Sequence, residues 1–224
     1  MSRVGFLTIG QSPRTDVLSD IQEYLKGLEI VEAGALDGLT REYIEANLAP
    51  RAGETLLVTR MRDGSEVIIA EERILPLMQE RVRWLEEQGV EVIAVLCSGS
   101  FPEFECRVPV IYPDRLLKSF VTSLLSKGDV VGVIAPAPEQ RSYIEEKWLE
   151  AVEEVALEFV SPYTGEKEEY VEACKRLAER KVKLVVLDCI GYSSQVKRLV
   201  REAVGKPVIA TRTVLAAYLK ELFM

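Results

Sequence analysis

Two cysteines occupy matching places in a sequence pattern that occurs twice. Residues 95–101 read VLCSGSF around Cys97, and residues 187–193 read LDCIGYS around Cys189. Each cysteine follows a hydrophobic run typical of a strand. Small residues then open a turn in which backbone N–H groups and a helix dipole favour the thiolate. Two thiols on opposite sides of one cleft could take a proton from a carbon beside a carboxylate and return one to the opposite face. The pair therefore predicts stereoinversion without a cofactor.

The chain contains no histidine. Its absence excludes Ser-His and Cys-His nucleophilic machinery and histidine metal ligands, and it leaves acid–base work to Cys, Asp, Glu, Lys or Tyr. The four cysteines show no CxxC spacing, which argues against a zinc ribbon or a thioredoxin motif. A nucleotide or flavin site lacks support because no GxGxxG or P-loop string occurs. We therefore expect no metal and no cofactor.

The duplication extends beyond the cysteines. Residues 4–7 align with residues 131–134, Arg14 with Arg141 and Gly38 with Gly165, all at one offset of 127, whereas the cysteines align at an offset of 92. The difference corresponds to about 35 extra residues in the first half, between Gly38 and Cys97. Chains rich in valine strands can align with themselves without a repeat, but three landmarks in one register favour real pseudo-symmetry.

Strand-like runs alternate with helical patterns along the chain, and this alternation predicts parallel sheets whose ligands bind beyond the carboxyl ends of the strands. Strands are predicted over 3–8, 28–33, 54–60, 66–70, 90–96, 108–111, 130–134, 155–160, 182–187 and 207–210, and helices over 15–26, 71–88 and 211–223 and from residues 114, 139, 166 and 194. Ser12 is predicted to cap the first helix, with Pro13 as its first residue. The Asp63-Gly64 pair predicts a β-hairpin turn.

The fold class expected is therefore α/β, with two pseudo-symmetric flavodoxin-like domains. The first would comprise residues 1–114 and 210–224, with a hairpin insertion at about 39–72, and the second residues 115–209. Both cysteines fall at carboxyl ends of strands, so we expect an active site between the two halves.

An enolate-like intermediate needs hydrogen-bond donors where its charge develops. Arg14, Arg60, Arg141 and Arg212 are candidate clamps for a substrate carboxylate, and Arg14 is best placed because it adjoins the first loop. The predicted substrate contacts lie in three loops, one after the first strand and one after each cysteine: Thr8, Gly10, Gln11, Ser12, Arg14, Ser98, Gly99, Ser100, Gly191, Tyr192 and Ser193.

A buried cysteine can also end a strand simply as a small hydrophobic residue. We adopt that interpretation for Cys106 and Cys174 and the catalytic one for the symmetric pair. Lys, Arg and Glu are abundant and Asn47 is the only asparagine, a balance found in heat-adapted proteins. Because intracellular disulfides occur in such proteins, a bridge between Cys97 and Cys106 stays open.

Composition describes an ordinary globular protein: 224 residues, of which 48% are hydrophobic and 29% charged, with a net charge of −8. The lack of a long apolar run and of a signal-peptide pattern predicts a cytoplasmic protein without a membrane partner. The negative charge, without a basic stripe, argues against nucleic acid. The expected partner is a small anionic molecule, carboxylate or amino-acid-like, and a homo-oligomer is left open.

Four strings carry a resemblance that spans nearly the whole chain: residues 7–14 (LTIGQSPR), 32–39 (EAGALDGL), 57–64 (LVTRMRDG) and 186–192 (VLDCIGY). The chain resembles the AroM family, and this implies kinship with the aspartate/glutamate (hydantoin) racemase superfamily, whose site lies between two pseudo-symmetric α/β domains. The superfamily's two catalytic cysteines correspond to Cys97 and Cys189. Amino-acid racemases usually have Asn-Thr and Thr-His after these cysteines, whereas this chain has Ser-Gly and Ile-Gly.

We therefore expect a cofactor-independent racemase- or epimerase-like enzyme in which Cys97 and Cys189 act as opposed acid and base. Two alternatives remain. Relatives with one catalytic cysteine decarboxylate or isomerise their substrates, and a non-catalytic ligand-binding or regulatory protein could keep the cleft without the chemistry.

Overall fold

The structure is a computed structural model that describes residues 1–223. It consists of two compact units. Unit 1 comprises Met1–Pro113 and the end of the chain from Tyr218, and unit 2 comprises Asp114–Ala217.

Unit 1 is built on a four-stranded parallel sheet. Its elements are β1 (Arg3–Thr8), α1 (Thr15–Ile21), a short 3-10 helix (Gln22–Tyr24), β2 (Glu29–Gly34), α2 (Arg41–Asn47), β3 (Leu56–Arg60), β4 (Glu66–Ala70), α3 (Glu71–Glu87), β5 (Val92–Leu96) and β6 (Val110–Ile111). The strands lie in the order β2-β1-β5-β6. β3 and β4 form a separate antiparallel hairpin, which confirms the predicted insertion.

The insertion also contains a helix that the sequence analysis did not predict. α2 is seven residues long, and the Thr40 side chain caps it by accepting the Tyr43 N–H at 3.3 Å. Its buried residue Ile44 joins the apolar core of unit 1. A helix this short carries little periodic signal, and tertiary packing stabilises it.

Unit 2 repeats the arrangement without the insertion. Its elements are α4 (Pro113–Leu124), which begins at the last residue of unit 1, β7 (Val130–Ala135), a short 3-10 helix (Pro138–Gln140), α5 (Arg141–Leu149), β8 (Glu154–Phe159), α6 (Lys167–Glu179), β9 (Leu184–Leu187), α7 (Ser194–Val204), β10 (Val208–Ala210) and α8 (Thr211–Phe223), which ends in unit 1. The parallel strands lie in the order β8-β7-β9-β10.

The two sheets therefore share one topology, in which the first strand of each unit lies between the second and the third. β1 and β7 also keep the offset of 127 residues found in the sequence. These features confirm the predicted α/β class with two similar parallel-sheet domains. In such sheets the strand order reverses between the first and the third strand, and ligands bind at the carboxyl ends of these two strands. Cys97 follows β5 and Cys189 closely follows β9, so both stand at these switch points.

The first helix begins at the predicted residue, but its predicted cap is wrong. α1 begins at Thr15 with Arg14 at its N-cap position, and Ser12 is not the cap. The Ser12 hydroxyl instead donates to the Asp37 carboxylate at 2.6 Å, and its backbone N–H donates to the same carboxylate at 2.8 Å. As a helix cap Ser12 would accept a helix N–H with its hydroxyl oxygen, whereas here the hydroxyl donates to a carboxylate, and a hydrogen bond to a charged acceptor is the stronger one. The helix also ends at Ile21, before the predicted residue 26.

Apolar side chains fill both units. In unit 1 one cluster joins β1, β5, the hairpin, α2 and α3. In unit 2 one cluster packs α6 and α7 on the sheet, and another packs α4, α5 and the start of α8. No helix within residues 1–223 combines the length and the apolar character needed to cross a bilayer.

Candidate functional site

The first cysteine loop begins where β5 ends. Leu96 pairs with Thr8 of β1, so Cys97 extends the strand beside the carboxyl end of β1. Its side chain is buried, and its Sγ accepts a hydrogen bond from the Gly99 backbone N–H at 3.4 Å. A side chain at Gly99 would press on the Phe101 ring, 3.0 Å from the Cβ position. A larger residue at this position would therefore require the Phe101 ring to move. Ser98 is buried in the same loop, and Ser100 is half-buried.

The second cysteine loop repeats this geometry in unit 2. The buried Cys189 Sγ accepts the Gly191 N–H, also at 3.4 Å. A Cβ on Gly191 would lie 2.8 Å from Pro162 and 3.0 Å from Tyr163, so only glycine fits. In both units an amide two residues after the cysteine donates to its sulfur. Hydrogen bonds to a charged form favour that form, so in each loop this one bond stabilises a thiolate.

Two tyrosines stand behind the second loop. The Tyr192 hydroxyl donates to the Val160 carbonyl at 2.8 Å, and the Tyr170 hydroxyl donates to the Ser161 carbonyl at 3.0 Å. The rings meet edge to face, with centroids 6.3 Å apart. Burial, and secondly the negative charge of the Cys189 thiolate, raise the pKa of both phenols far above the neutral range. Both tyrosines are therefore neutral donors that fix the loop.

Ser193 lies at the end of this loop and caps α7. Its hydroxyl accepts the Val196 N–H at 3.2 Å. The helix thus begins five residues after Cys189, with its N-terminal dipole near the loop.

The loop after β1 holds five of the predicted substrate contacts. The Thr8 hydroxyl accepts hydrogen bonds from the Gly10 N–H and from an Arg14 Nη1–H, both at 3.2 Å. The Gln11 side chain donates to the carbonyls of Leu36 and Leu39, and its oxygen accepts the Arg62 N–H at 2.9 Å. The side chains of this loop are therefore tied to the rest of unit 1.

Asp37 organises this loop, and the sequence analysis missed it. Its carboxylate accepts the Ser12 hydroxyl, the Ser12 N–H and the Gly34 N–H, at 2.6–2.8 Å. Arg62 of the hairpin reaches the same place: its Nε donates to the Ser12 carbonyl, and its Nη2 lies 3.5 Å from Asp37. The one signal in the sequence was the position of Asp37 shortly after a predicted strand.

Arg14 is almost fully buried and already faces a carboxylate. Its Nε and Nη2 each donate to Asp16 at 2.8 Å, a bidentate pair. Its backbone N–H donates to Glu32 at 2.7 Å. Burial raises the pKa of Glu32 even though this N–H lowers it. A substrate carboxylate on Arg14 would have to compete with Asp16.

The other candidate arginines have different partners. The Arg60 Nε donates to the Gly64 carbonyl, and the Arg141 guanidinium lies over the Phe159 ring, 4.8 Å from its centroid. Arg212 is buried in unit 2 and donates to two backbone carbonyls, those of Ile190 and Gly191.

Asp188 precedes Cys189 but points away from the cysteine loop. Its carboxylate accepts two hydrogen bonds from the Lys147 ammonium, at 2.8 and 2.9 Å, and one from the Trp148 indole at 2.7 Å. The side chains of Lys147 and Asp188 are 2% and 0% exposed. The charge of Asp188 is therefore balanced on the side of α5.

All four cysteines within residues 1–223 are thiols rather than disulfides. Burial raises the pKa of Cys174 to about 11. Burial and the nearby Glu86 also raise the pKa of Cys106. In the same residues no group of three or more Cys, Asp or Glu side chains is arranged to hold a metal ion.

The predicted site residues thus form two sets. Unit 1 contains nine of them around the ends of β1 and β5: Thr8, Gly10, Gln11, Ser12, Arg14, Cys97, Ser98, Gly99 and Ser100. Unit 2 contains the other four around the end of β9: Cys189, Gly191, Tyr192 and Ser193.

Comparisons with known proteins agree with this architecture. The family model described as AroM protein matches residues 4–223. No curated protein matches the sequence. Among solved structures, the chain is similar to unliganded arylmalonate decarboxylase (TM-score 0.63, 12% identity, covering 98% of this chain and 93% of that one). It is also similar to glutamate racemase from Aquifex pyrophilus (0.60, 17%, 99% and 84%) and to Picrophilus torridus aspartate racemase (0.59, 14%, 99% and 94%). At these identities the likeness shows the fold.

Proposed function

We propose that this chain, which belongs to the AroM family, is a cofactor-independent racemase- or epimerase-like enzyme for a small carboxylate. The proposal rests on one observation. Cys97 and Cys189 stand at equivalent switch points of two similar sheets, and each sulfur accepts the N–H of the glycine two residues later. The same hydrogen bond to the sulfur in both halves supports a mechanism in which the two thiols act together.

In the proposed reaction one thiolate removes the proton from the carbon next to the substrate carboxylate. That C–H bond breaks, an S–H bond forms, and the electron pair moves into an enolate-like intermediate. The other thiol then donates its proton to the opposite face, so that its S–H bond breaks and a C–H bond forms with inverted configuration. Proton transfer by positioned groups contributes about 10²–10⁴-fold to a rate.

The substrate class follows from the chemistry and from the fold relatives. Racemases of glutamate and aspartate and a decarboxylase of arylmalonates share this fold, and all three names denote carboxylates. The predicted substrate contacts would stabilise the carboxylate and the developing charge. The Gln11 and Ser12 side chains bond within unit 1, and so do the backbone N–H groups of residues 10–12 and 14, so this loop would have to exchange one of these bonds to contact a substrate.

A one-cysteine decarboxylase or isomerase is the second candidate, favoured by the likeness to arylmalonate decarboxylase. In that case a single thiol would protonate one face of the intermediate. The cytoplasmic location and the homo-oligomer considered from the sequence stay predictions.

The test follows pooled small carboxylic and amino acids in heavy water by NMR and chiral chromatography. We expect deuterium at the α-carbon and inversion of configuration. Inversion should fall by about 10²-fold or more in both Cys97→Ser and Cys189→Ser. Cys106→Ser is the matched control and should keep full activity.

The outcomes separate the candidates. Turnover that needs only one cysteine would identify the one-cysteine reaction. Inversion that survives in the double variant would refute thiol chemistry. A wild type that turns nothing over, while a carboxylate stabilises it and the double variant equally against heat, would identify a binding protein.

A further inference from the structure

The peptide unit between Ile190 and Gly191 is hydrogen-bonded at both ends. Its carbonyl accepts a bond from the Arg212 Nε at 2.9 Å, and its N–H donates to the Cys189 Sγ at 3.4 Å. A trans peptide is planar, with its C=O and N–H pointing in opposite directions. This peptide is trans. An anchor on the oxygen therefore aims the N–H at the sulfur.

Arg212 provides that anchor from the first turn of α8. It follows β10, which pairs with β9, so the sheet itself brings the guanidinium to the cysteine loop. A second donor, Nη2, bonds the Gly191 carbonyl at 2.8 Å. The side chain is 1% exposed, so solvent does not compete for these bonds. A planar guanidinium that holds two consecutive carbonyls fixes their orientation better than a single ammonium could.

The hydrogen bonds from Arg212 also polarise the peptide that faces the sulfur. A hydrogen bond from a cation polarises the peptide that accepts it, and a polarised peptide is a stronger N–H donor. The chain of contacts runs from the guanidinium through the Ile190 carbonyl and the Gly191 N–H to Sγ. It favours a negative sulfur at Cys189.

The first half differs at the matched position. The repeat aligns residues 109–111 with 207–209 at an offset of 98, which sets Asp114 opposite Arg212. An ionised carboxylate cannot donate a hydrogen bond to a carbonyl. The two half-sites therefore share the glycine amide but differ at this position.

We propose that Arg212 is a positioning residue that makes Cys189 the thiolate of the resting protein, and hence the base towards the enantiomer whose α-proton faces it, while Cys97 is the protonated acid. The inference rests on the proposed function, because it assigns the two roles within that reaction.

Other ionisable groups around the second loop do not provide this charge. Tyr192 in the loop and Tyr170 of α6 stay neutral because burial raises the pKa of their phenols, and Tyr163 faces Gly191 as a third phenol. Asp188 is negative but forms its ion pair with Lys147 of α5. The cation that forms hydrogen bonds to the loop is Arg212.

The test measures alkylation of each cysteine by iodoacetamide against pH, read on separate peptides by mass spectrometry, without substrate. In the wild type, Cys189 should react with a lower pH midpoint than Cys97. Arg212→Met should raise the Cys189 midpoint by about half a pH unit or more, because it removes a buried positive charge and the anchor on the Ile190 carbonyl. Arg212→Lys keeps the charge but cannot bond both carbonyls as the guanidinium does, so it should raise the Cys189 midpoint by less. The Cys97 midpoint is the internal control and should not move.

A second variant separates charge from loop order. Tyr192→Phe removes the bond to the Val160 carbonyl, 2.8 Å long, but leaves Arg212 in place, so the Cys189 midpoint should change little. Circular dichroism confirms that each variant is folded at the assay temperature. If Arg212→Met does not fold, Arg212→Lys decides.

An unchanged Cys189 midpoint in the folded arginine variants overturns the proposal, and so does an equal rise in Tyr192→Phe. Because alkylation needs no substrate, a protein that fails to turn over carboxylates would count against the proposed function alone.

Discussion

The buried ion pair of Lys147 and Asp188 offers a quantitative test of the structure behind the second cysteine. We change Asp188 to Asn, which keeps the shape of the side chain and removes its charge. The Lys147 ammonium then stays in a site that is 2% exposed, without its counter-charge. Removing one partner of a buried pair typically costs about 3–5 kcal/mol.

The double variant Lys147→Met, Asp188→Asn should recover much of this loss. The methionine fills a similar volume without a charge, and the asparagine oxygen can still accept the Trp148 indole N–H, which now bonds Asp188 at 2.7 Å. We therefore expect the double variant to cost less than either single change. The coupling between the two sites should be at least about 2 kcal/mol.

Urea unfolding followed by tryptophan fluorescence gives the free energies for the four proteins of this cycle. Lys183→Met is a matched control, because Lys183 is exposed and lies 3.9 Å from Asp129, so it should cost less than about 1 kcal/mol. Single variants that each cost under 1 kcal/mol, or costs that simply add, would show that the pair is not the buried unit described.

Two further results are expected in unit 1. The folded protein binds the Glu32 proton more tightly than the unfolded chain does, because burial raises its pKa. This contribution is present below the usual glutamate pKa of 4.5 and is lost as the pH rises through the folded pKa, so Glu32→Gln should gain stability relative to wild type between about pH 4 and pH 7. A difference in urea midpoint between Glu32→Gln and wild type that is the same at about pH 4 and about pH 7 would contradict this. Gly10→Ala would place a Cβ 2.4 Å from the Arg60 carbonyl and should cost about 1–3 kcal/mol in thermal unfolding. Gly5→Ala meets only side chains, those of Leu85 at 3.3 Å and Ile93 at 3.4 Å, and should cost less. The opposite ranking would refute the close packing of hairpin and loop.

Local patterns were sufficient to predict most of the architecture. Apolar runs of four to six residues announced nearly every strand, and the repeated cysteine strings placed Cys97 and Cys189 after equivalent strands. The reason is that a parallel strand buried on both faces reads as a continuous apolar run. The seven-residue α2 gave no such signal, because its stability comes from packing rather than from its own sequence.

Contacts between distant residues could not be predicted in this way. The sequence around Ser12 is typical of a helix cap, yet the Ser12 hydroxyl and backbone N–H both donate to Asp37, 25 residues later. Arg212 was considered as a substrate clamp, whereas it donates to backbone carbonyls 21 and 22 residues earlier. Both outcomes depend on which loops the sheet brings together, and that is known only once the strand order is known.

The path of α8 has a consequence for synthesis. This helix begins in unit 2 and ends in unit 1, where Leu219 is fully buried and the Lys220 ammonium lies 5.9 Å from the centre of the Tyr24 ring. A ribosome therefore releases residues 1–113 long before the segment that completes their unit. During translation part of the apolar surface of unit 1 therefore stays uncovered until α8 has been made. Folding order in this chain need not follow the order of synthesis.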